Sequence, residues 1–339
     1  MDKIIKKPKV SVILPVYNGA KYIKKTIESV LEQTFIDFEF IIINDASTDE
    51  TSTLIKSFID SRIRYYENEH NQKLIKVLNF AIQISIGDYI ARIDADDIMH
   101  KQRLSKQVLF LEQNLSYVLV ASHVNLIREN TFTNEILGYS ESHEDLQFEM
   151  AFYNPIVHPS VLIRKNKFTE PFLRYSFDFI HVEDYKLWTS LIQIGLFYTI
   201  PESLTYYRLH NEQISFINQE FQKSRMYSIT FEYLKNVLSE YNDLEIEFLF
   251  FNKRLNSINK EIRLLEHFYL SKKMNGELKK RYLLRRFKKY VFSIKKITFY
   301  SILIFFNNKL FKESCFSIKQ KLSLIFKLSI KNHADQNHI

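Results

Sequence analysis

A chain of 339 residues, 46% hydrophobic and 25% charged, has room for one large domain with an appendage or for two modest domains, and its composition excludes wholesale disorder. Its single cysteine, Cys315, excludes an internal disulfide and fits a reducing compartment, and five glycines leave little room for glycine-rich phosphate loops. The net charge of +8 is unevenly spread: residues 271–339 hold 17 Lys and Arg against three acidic residues, which leaves residues 1–270 at −6. A mildly acidic body with a strongly basic tail implies two separate tasks.

Lys3, Lys6 and Lys7 run almost at once into the apolar stretch 10–14, too short for a secretory signal core and interrupted by Ser11. The longest apolar-looking stretch, 297–306, falls well below the ~20 residues needed to span a bilayer. The expectation is a cytoplasmic protein without a transmembrane helix, peripheral on the inner face of the cell membrane.

Segments 10–15, 38–45, 63–67, 88–94 and 118–123 read as strands, rich in Ile and Val and nearly continuous in apolar character. Helical patterns occupy 20–33, 51–58, 73–85 and 102–113 between them. This alternation predicts a Rossmann-like α/β fold, a mostly parallel sheet flanked by helices, with ligands bound beyond the carboxyl ends of the strands. From Phe216 to about Asn275 the pattern is helical, unbroken by Gly or Pro. The expected division is a catalytic domain over 1–215 and a helical C-terminal region over 216–339.

Three predicted strand ends carry polar clusters. The first runs into Pro15-Val-Tyr17-Asn-Gly19, the second into Asn44-Asp45-Ala-Ser-Thr-Asp49, and the fourth into Asp94-Ala-Asp96-Asp97. Carboxylates facing one crevice repel each other unless a cation or donor group lies between them. Asp94 and Asp96 form the favoured pair, and all-oxygen ligands suit Mg²⁺ or Mn²⁺ beside diphosphate oxygens. The bland alternative is a solvated turn capping the following helix.

Ser11-Val-Ile-Leu-Pro-Val-Tyr-Asn18, Ile43-Asn-Asp-Ala-Ser-Thr-Asp49 and Gly87-Asp-Tyr-Ile-Ala-Arg-Ile-Asp-Ala-Asp-Asp97 resemble the family 2 glycosyltransferases, which have the A-type glycosyltransferase fold. Asn154-Pro-Ile-Val-His-Pro-Ser160, Glu183-Asp184 with Trp188, and Tyr206-Tyr-Arg-Leu-His210 continue the resemblance in the family's order, over about residues 9–215. The resemblance implies a nucleobase pocket lined by Pro15, Tyr17 and Asp45, usually for uridine. It implies Asp94 at the ribose or a metal-bound water, Asp96 at the metal and diphosphate, and Asp184 as general base. His210 would approach the diphosphate or metal, with Arg208 adding positive charge. The activity implied is inverting transfer of a sugar from a nucleotide-sugar donor, with UDP expected, to a saccharide or polyprenyl-linked acceptor in cell-surface polysaccharide synthesis. The cofactor implied is Mn²⁺ or Mg²⁺.

Each residue has a structural alternative. Tyr17 packs on the first helix, Asp45 caps the turn before Thr51, Asp184 caps its helix, and His210 is merely structural. His158 reads as a loop-shaping residue, since Pro155 and Pro159 fix its backbone. One departure stands out: Asn71-Gln-Lys-Leu74 occupies a segment where family members often carry a glycine. Lys76 and Asn79 nearby are candidate polar groups toward the donor. Acceptor choice falls to loops and to the segment 165–180.

In the tail, Leu283, Leu284, Phe287, Tyr290, Val291 and Ile294 share one helical arc, with Lys and Arg on the rest. Such a helix reads as an anchor on an anionic membrane surface, or else as a helix packed on protein with a solvated basic face. No nucleic-acid recognition motif accompanies the charge. A nicotinamide dehydrogenase is disfavoured because no Gly-x-Gly-x-x-Gly follows the first strand. A non-catalytic, membrane-associated sugar-binding scaffold is the remaining alternative, and the intact Asp94, Asp96 and Asp184 speak against it.

Overall fold

A computed structural model describes residues 7–128, 131–167, 173–210, 219–251, 253–255 and 257–293, with 309 and 313. The chain forms two compact units, Met1–Thr230 and Phe231–Ile339.

In the first unit, β1 (Val10–Val16) and β2 (Phe38–Asn44) are buried along their whole length, as strands covered on both faces must be. β2, β1 and β4 (Tyr89–Arg92) pair in parallel, and β3 (Ile63–Glu67) adds a parallel edge beside β2. Helices α1 (Ile23–Leu31), α2 (Thr51–Lys56), α3 (Leu74–Ile84) and α4 (Arg103–Gln113) connect the strands. Ile23, Ile27 and Val30 of α1 and Leu104, Val108 and Leu111 of α4 close the core against Val12, Leu14, Phe40 and Ile42.

Beyond β4 the sheet becomes mixed. The short β8 (Leu162–Arg164) inserts antiparallel between β4 and the long β6 (Tyr117–Arg128). β6 pairs in parallel with β9 (Leu196–Leu209) and antiparallel with β7 (Thr131–Leu137), and β9 pairs antiparallel with β5 (Ile98–Met99). The expected mostly parallel sheet is therefore parallel from β3 to β4 and across β6–β9. The antiparallel additions come from segments whose partners are distant in sequence. The expected strand over 88–94 ends at Arg92, because the following acidic residues turn out of the sheet. Two short helices, α5 (His143–Glu149) and α6 (Glu183–Leu191), complete this unit up to α7 (Gln219–Val237), which runs on into the second.

The second unit continues with α8 (Asp243–Phe251), α9 (Ile258–Leu270) and α10 (Glu277–Ser293). Its core includes Leu234, Phe248, Ile262, Leu265, Phe268, Leu283 and Phe287. Leu283 and Phe287 lie inward while Arg281 and Arg285 are exposed, so two turns of the basic amphipathic pattern appear as expected. That apolar face meets protein: Tyr282 Oη donates to the Leu249 carbonyl, and Arg286 bonds the Phe248 carbonyl. Ile294 and the apolar stretch 297–306 lie outside the described residues. Among the described residues no helix is long and apolar enough to cross a membrane.

Gly87 marks the tightest approach between β1 and the entry to β4. A Cβ there would sit 2.6 Å from the Ser11 backbone nitrogen and 2.7 Å from the Val10 carbonyl carbon, atoms fixed in the sheet. Gly87→Ala is expected to cost about 1–3 kcal/mol, as other overpacked sites do, and to lower Tm by roughly 3–10 °C. An unchanged Tm in calorimetry would show that the sheet yields at this point.

Candidate active site

The loop after β4 presents Asp94, Asp96 and Asp97, each offering a carboxylate oxygen within 4.8 Å of the others. Its shape is imposed from two sides. Thr26 Oγ1 on α1 donates to the Ala95 carbonyl at 2.9 Å and the Asp97 carbonyl at 2.8 Å. The pairing of Ile98 with Tyr206 and of Met99 with Thr205 then carries Arg208 and His210 to the same loop. Arg208 donates its backbone N–H to Asp97 Oδ1 at 2.8 Å and its Nε–H to the Asp96 carbonyl at 2.8 Å. His210 Nε2 lies 2.9 Å from Asp96 Oδ2. Tyr22 braces both, its ring centroid 4.2 Å from the Arg208 guanidinium carbon and 5.7 Å from that of the His210 ring.

Asp94 is held differently. Both of its oxygens are bound by the guanidinium of Arg92, a residue buried in β4. Behind Arg92 stands Arg103, wholly buried, which donates Nη2–H to the Arg92 and Val161 carbonyls at 3.0 and 2.9 Å. Among the described residues no carboxylate lies within ion-pair distance of Arg103. Burial is the largest cause raising the pKa of Asp94 and of Asp97, with the neighbouring carboxylates adding to it and Arg92 opposing it.

Asp184 opens α6, where Asn154 Nδ2 donates to its Oδ2 at 2.8 Å and the Tyr185 N–H donates to its Oδ1 at 2.7 Å. Burial raises its pKa above the ordinary carboxylate value, and Asp94 in turn feels its charge. Asp184 is thus not the cap of its helix, whose N-cap position is Val182; its carboxylate is held by Asn154 and by the next residue's N–H. Glu183 beside it is buried, and burial first, then Asp184, pushes its carboxyl up to about 7. Among the described residues, Arg92 Nε, Asp97 Oδ2, Arg103 Nη1, Glu183 Oε2, Trp188 Nε1 and His210 Nδ1 are buried without a hydrogen-bond partner in the chain. Native interiors rarely leave such atoms unpaired, and three of these, Arg92 Nε, Asp97 Oδ2 and His210 Nδ1, belong to residues of the acidic loop or bound to it; Thr199, Ser203 and Thr205 of β9 carry the other unpaired atoms.

Toward β1 and β2, Tyr17 is 51% exposed at the strand end, while Pro15 is buried within β1. Asp45 does not cap the turn before Thr51; Asp49 does, accepting from the Thr51 N–H at 3.1 Å. Asp45 instead accepts from Asn68 Nδ2 and from the Gln72 and Lys73 N–H groups at 2.8, 2.7 and 2.9 Å, and so shapes the loop before α3. Lys73, at the start of the segment's helix, has φ 69° and ψ 154°, a conformation almost reserved for glycine. Lys76 bonds Gln72, and Asn79 grips the backbone of Tyr175 with two hydrogen bonds of 2.9 and 2.8 Å. His158 is buried, its Nε2 2.6 Å from the Tyr175 hydroxyl and its ring edge-on to Trp188, and burial keeps it neutral. Sequence reasoning missed Arg92, Arg103, Tyr22 and Tyr175. Only Arg92 carried a readable signal, as a cationic residue standing two positions before Asp94.

Two outcomes test this geometry. Lys73→Gly is expected to stabilise the protein by about 1 kcal/mol, because relief of the disfavoured backbone exceeds glycine's extra entropy in the unfolded chain; denaturant titration reads it, and a destabilised variant would deny the strain. Glu183 has a folded pKa raised above the ordinary glutamate value, so the folded state binds its proton more tightly and stability falls as pH rises from about 4.5 to about 7. The decline of Tm between pH 5 and pH 8 is expected to be shallower in Glu183→Gln than in the parent protein, and equal slopes would remove Glu183 as its source.

The glycosyl transferase family 2 model matches residues 11–170. An uncharacterized glycosyltransferase of Haemophilus influenzae is 32% identical over 330 residues, covering 94% of this chain and 96% of the relative. The UDP-Glc:alpha-D-GlcNAc-diphosphoundecaprenol beta-1,3-glucosyltransferase WfgD of Escherichia coli is 28% identical, covering 68% of this chain and 88% of WfgD. Among solved structures, residues 1–349 of S. aureus TarS in complex with UDP-GlcNAc superpose with a TM-score of 0.57 at 16% identity, covering 89% of each chain, which shows the shared fold. On this match along nearly its whole length, the chain belongs to glycosyltransferase family 2.

Proposed function

We propose that the chain is an inverting glycosyltransferase that moves a hexosyl or N-acetylhexosaminyl group from a UDP-sugar to a saccharide or polyprenyl-linked acceptor in surface-polysaccharide synthesis. The observation that carries this reading is the convergence of Asp94, Asp96, Asp97, His210 and Asp184 at one end of the sheet. The names of WfgD and of WfaP, an E. coli relative 32% identical over 208 residues, describe transfer from UDP-Glc to a diphosphoundecaprenol-linked acceptor. The β linkage in both names, made from an α-linked UDP-glucose, corresponds to a single inversion.

In this reading Tyr17 and Pro15 flank the uracil, and Asp45 either meets it directly or shapes the loop that does. Asp96, with Asp94 and His210 beside it, would hold Mn²⁺ or Mg²⁺; carboxylate and imidazole donors suit either ion. When bound, such an ion offsets the charge gathering on the departing diphosphate. Arg208 and His210 add positive charge and hydrogen-bond donors at the same place. Asp184 removes the acceptor's hydroxyl proton while the acceptor oxygen bonds to the anomeric carbon and the bond to UDP breaks. Its raised pKa makes it a stronger base than an exposed carboxylate. Residues 1–215 would constitute the catalytic portion, and residues 216–339 a helical region resting on anionic lipid at the inner face of the membrane, close to a lipid-linked acceptor.

Thermal stabilisation by a panel of UDP-sugars in Mn²⁺ identifies the donor, and excess chelator is expected to abolish both the stabilisation and transfer. Asp184→Asn is expected to lower kcat on the order of 10²-fold or more while UDP affinity changes less than about threefold. A folded variant turning over near the parent rate would take Asp184 out of the base role.

A further inference from the structure

Arg92 occupies an unusual place for an arginine. It is buried in the central parallel strand, immediately before the chain leaves the sheet, with its side chain only 5% exposed. Arg92 is the last residue of β4 and Asp94 follows two residues on in the loop, where the planar guanidinium meets both carboxylate oxygens at once. Its backbone is locked too, since Arg103 binds its carbonyl from behind. Asp94 and Asp96 are therefore unequal. Asp94 has its charge already matched by a fixed guanidinium, whereas Asp96 is met by one imidazole nitrogen of His210.

That inequality decides which ligand each accepts. A carboxylate docked two-pronged on a guanidinium retains lone pairs for further hydrogen bonds, but a second cation brought to it is repelled by the first. A neutral hydroxyl suffers no such repulsion. We propose that Arg92 is a positioning residue that reserves Asp94 for the ribose hydroxyls of the nucleotide and leaves Asp96 as the carboxylate that takes the divalent ion. The inference rests on the UDP-sugar reading above and adds to it a residue that touches neither nucleotide nor metal.

The test compares UDP with 2′,3′-dideoxy-UDP by calorimetry across a Mn²⁺ titration, in the full chain. The parent protein is expected to prefer UDP by roughly ten- to hundredfold, the worth of hydrogen bonds to a charged group. In Arg92→Met that preference is expected to shrink to about threefold or less. The Mn²⁺ concentration for half-maximal UDP binding should fall at least threefold, because the released Asp94 becomes a second ligand. A purely structural role for Arg92 predicts no gain in Mn²⁺ response. The double variant Arg92→Met with Asp94→Asn should discriminate no less than Asp94→Asn alone. Arg92→Met with its ribose preference intact overturns the proposal, whatever its Mn²⁺ response. Should Arg92→Met fail to fold, Arg92→Lys keeps the charge but not the two-pronged grip; a ribose preference at least threefold weaker supports the proposal, and an unchanged one overturns it. Failure of the parent protein to bind UDP with Mn²⁺ would instead sink the donor reading and is seen before any variant is made.

Discussion

The first unit is organised around a repulsion. Five carboxyl groups, Asp94, Asp96, Asp97, Glu183 and Asp184, are brought to one end of the sheet; burial opposes the ionisation of Asp94, Asp97, Glu183 and Asp184, and neighbouring carboxylates add to it at Asp94, Asp97 and Glu183. Burying a charge without a partner is expensive, so the rest of the local structure consists of partners. Arg92 matches Asp94, the Arg208 backbone N–H binds Asp97, and Asn154 and the first turn of α6 hold Asp184. Arg103 adds a second buried guanidinium behind Arg92. Arg92 Nε, Asp97 Oδ2 and His210 Nδ1 at this end have no partner in the chain, which leaves polar atoms for a ligand to meet.

Holding such a cluster demands a rigid frame, and the frame is the parallel sheet with α1 and β9 laced to its edge loops. Thr26 reaches from α1 to two carbonyls of the acidic loop, and the short β5 fastens the same loop to β9. Strain gathers at this end as well. Of the five described residues with positive φ, Asn18 and Ala46 follow β1 and β2, Lys73 precedes α3, and His181 precedes α6. None is a glycine, so each costs backbone energy that surrounding hydrogen bonds must hold in place. At Asn18, bonds to Ser47 and Thr48 do so, and at Lys73, bonds to Asp45 and Asn71.

Much of this was legible in the sequence because its signals are local. Buried parallel strands are nearly continuous apolar runs, and the segments 10–15 and 38–45 needed little else to be recognised. Asp94, Asp96 and His210 were found through short motifs at strand ends. The partners of those motifs were not legible. Arg92 and Arg103 look like surface residues in a sequence, and their burial becomes intelligible only once Asp94 and the Val161 carbonyl are placed beside them. Asp45 illustrates the same limit. Its role in a turn was expected, but the turn it holds lies more than twenty residues away, at Gln72 and Lys73. The insertion of β8 between β4 and β6 likewise follows from pairing between distant segments, for which three residues of strand carry no signature.

The basic helix shows how structure narrows a sequence pattern. An amphipathic helix lying in a membrane surface must offer its apolar face to lipid, yet in α10 Leu283 and Phe287 are buried and Tyr282 and Arg286 bond carbonyls at the end of α8. Over these turns the apolar face is already occupied, and what remains for an outside partner is charge, at Arg281 and Arg285. Attraction between such charges and anionic lipid needs no insertion, falls away within a Debye length of about 10 Å at 0.1 M salt, and weakens as salt rises.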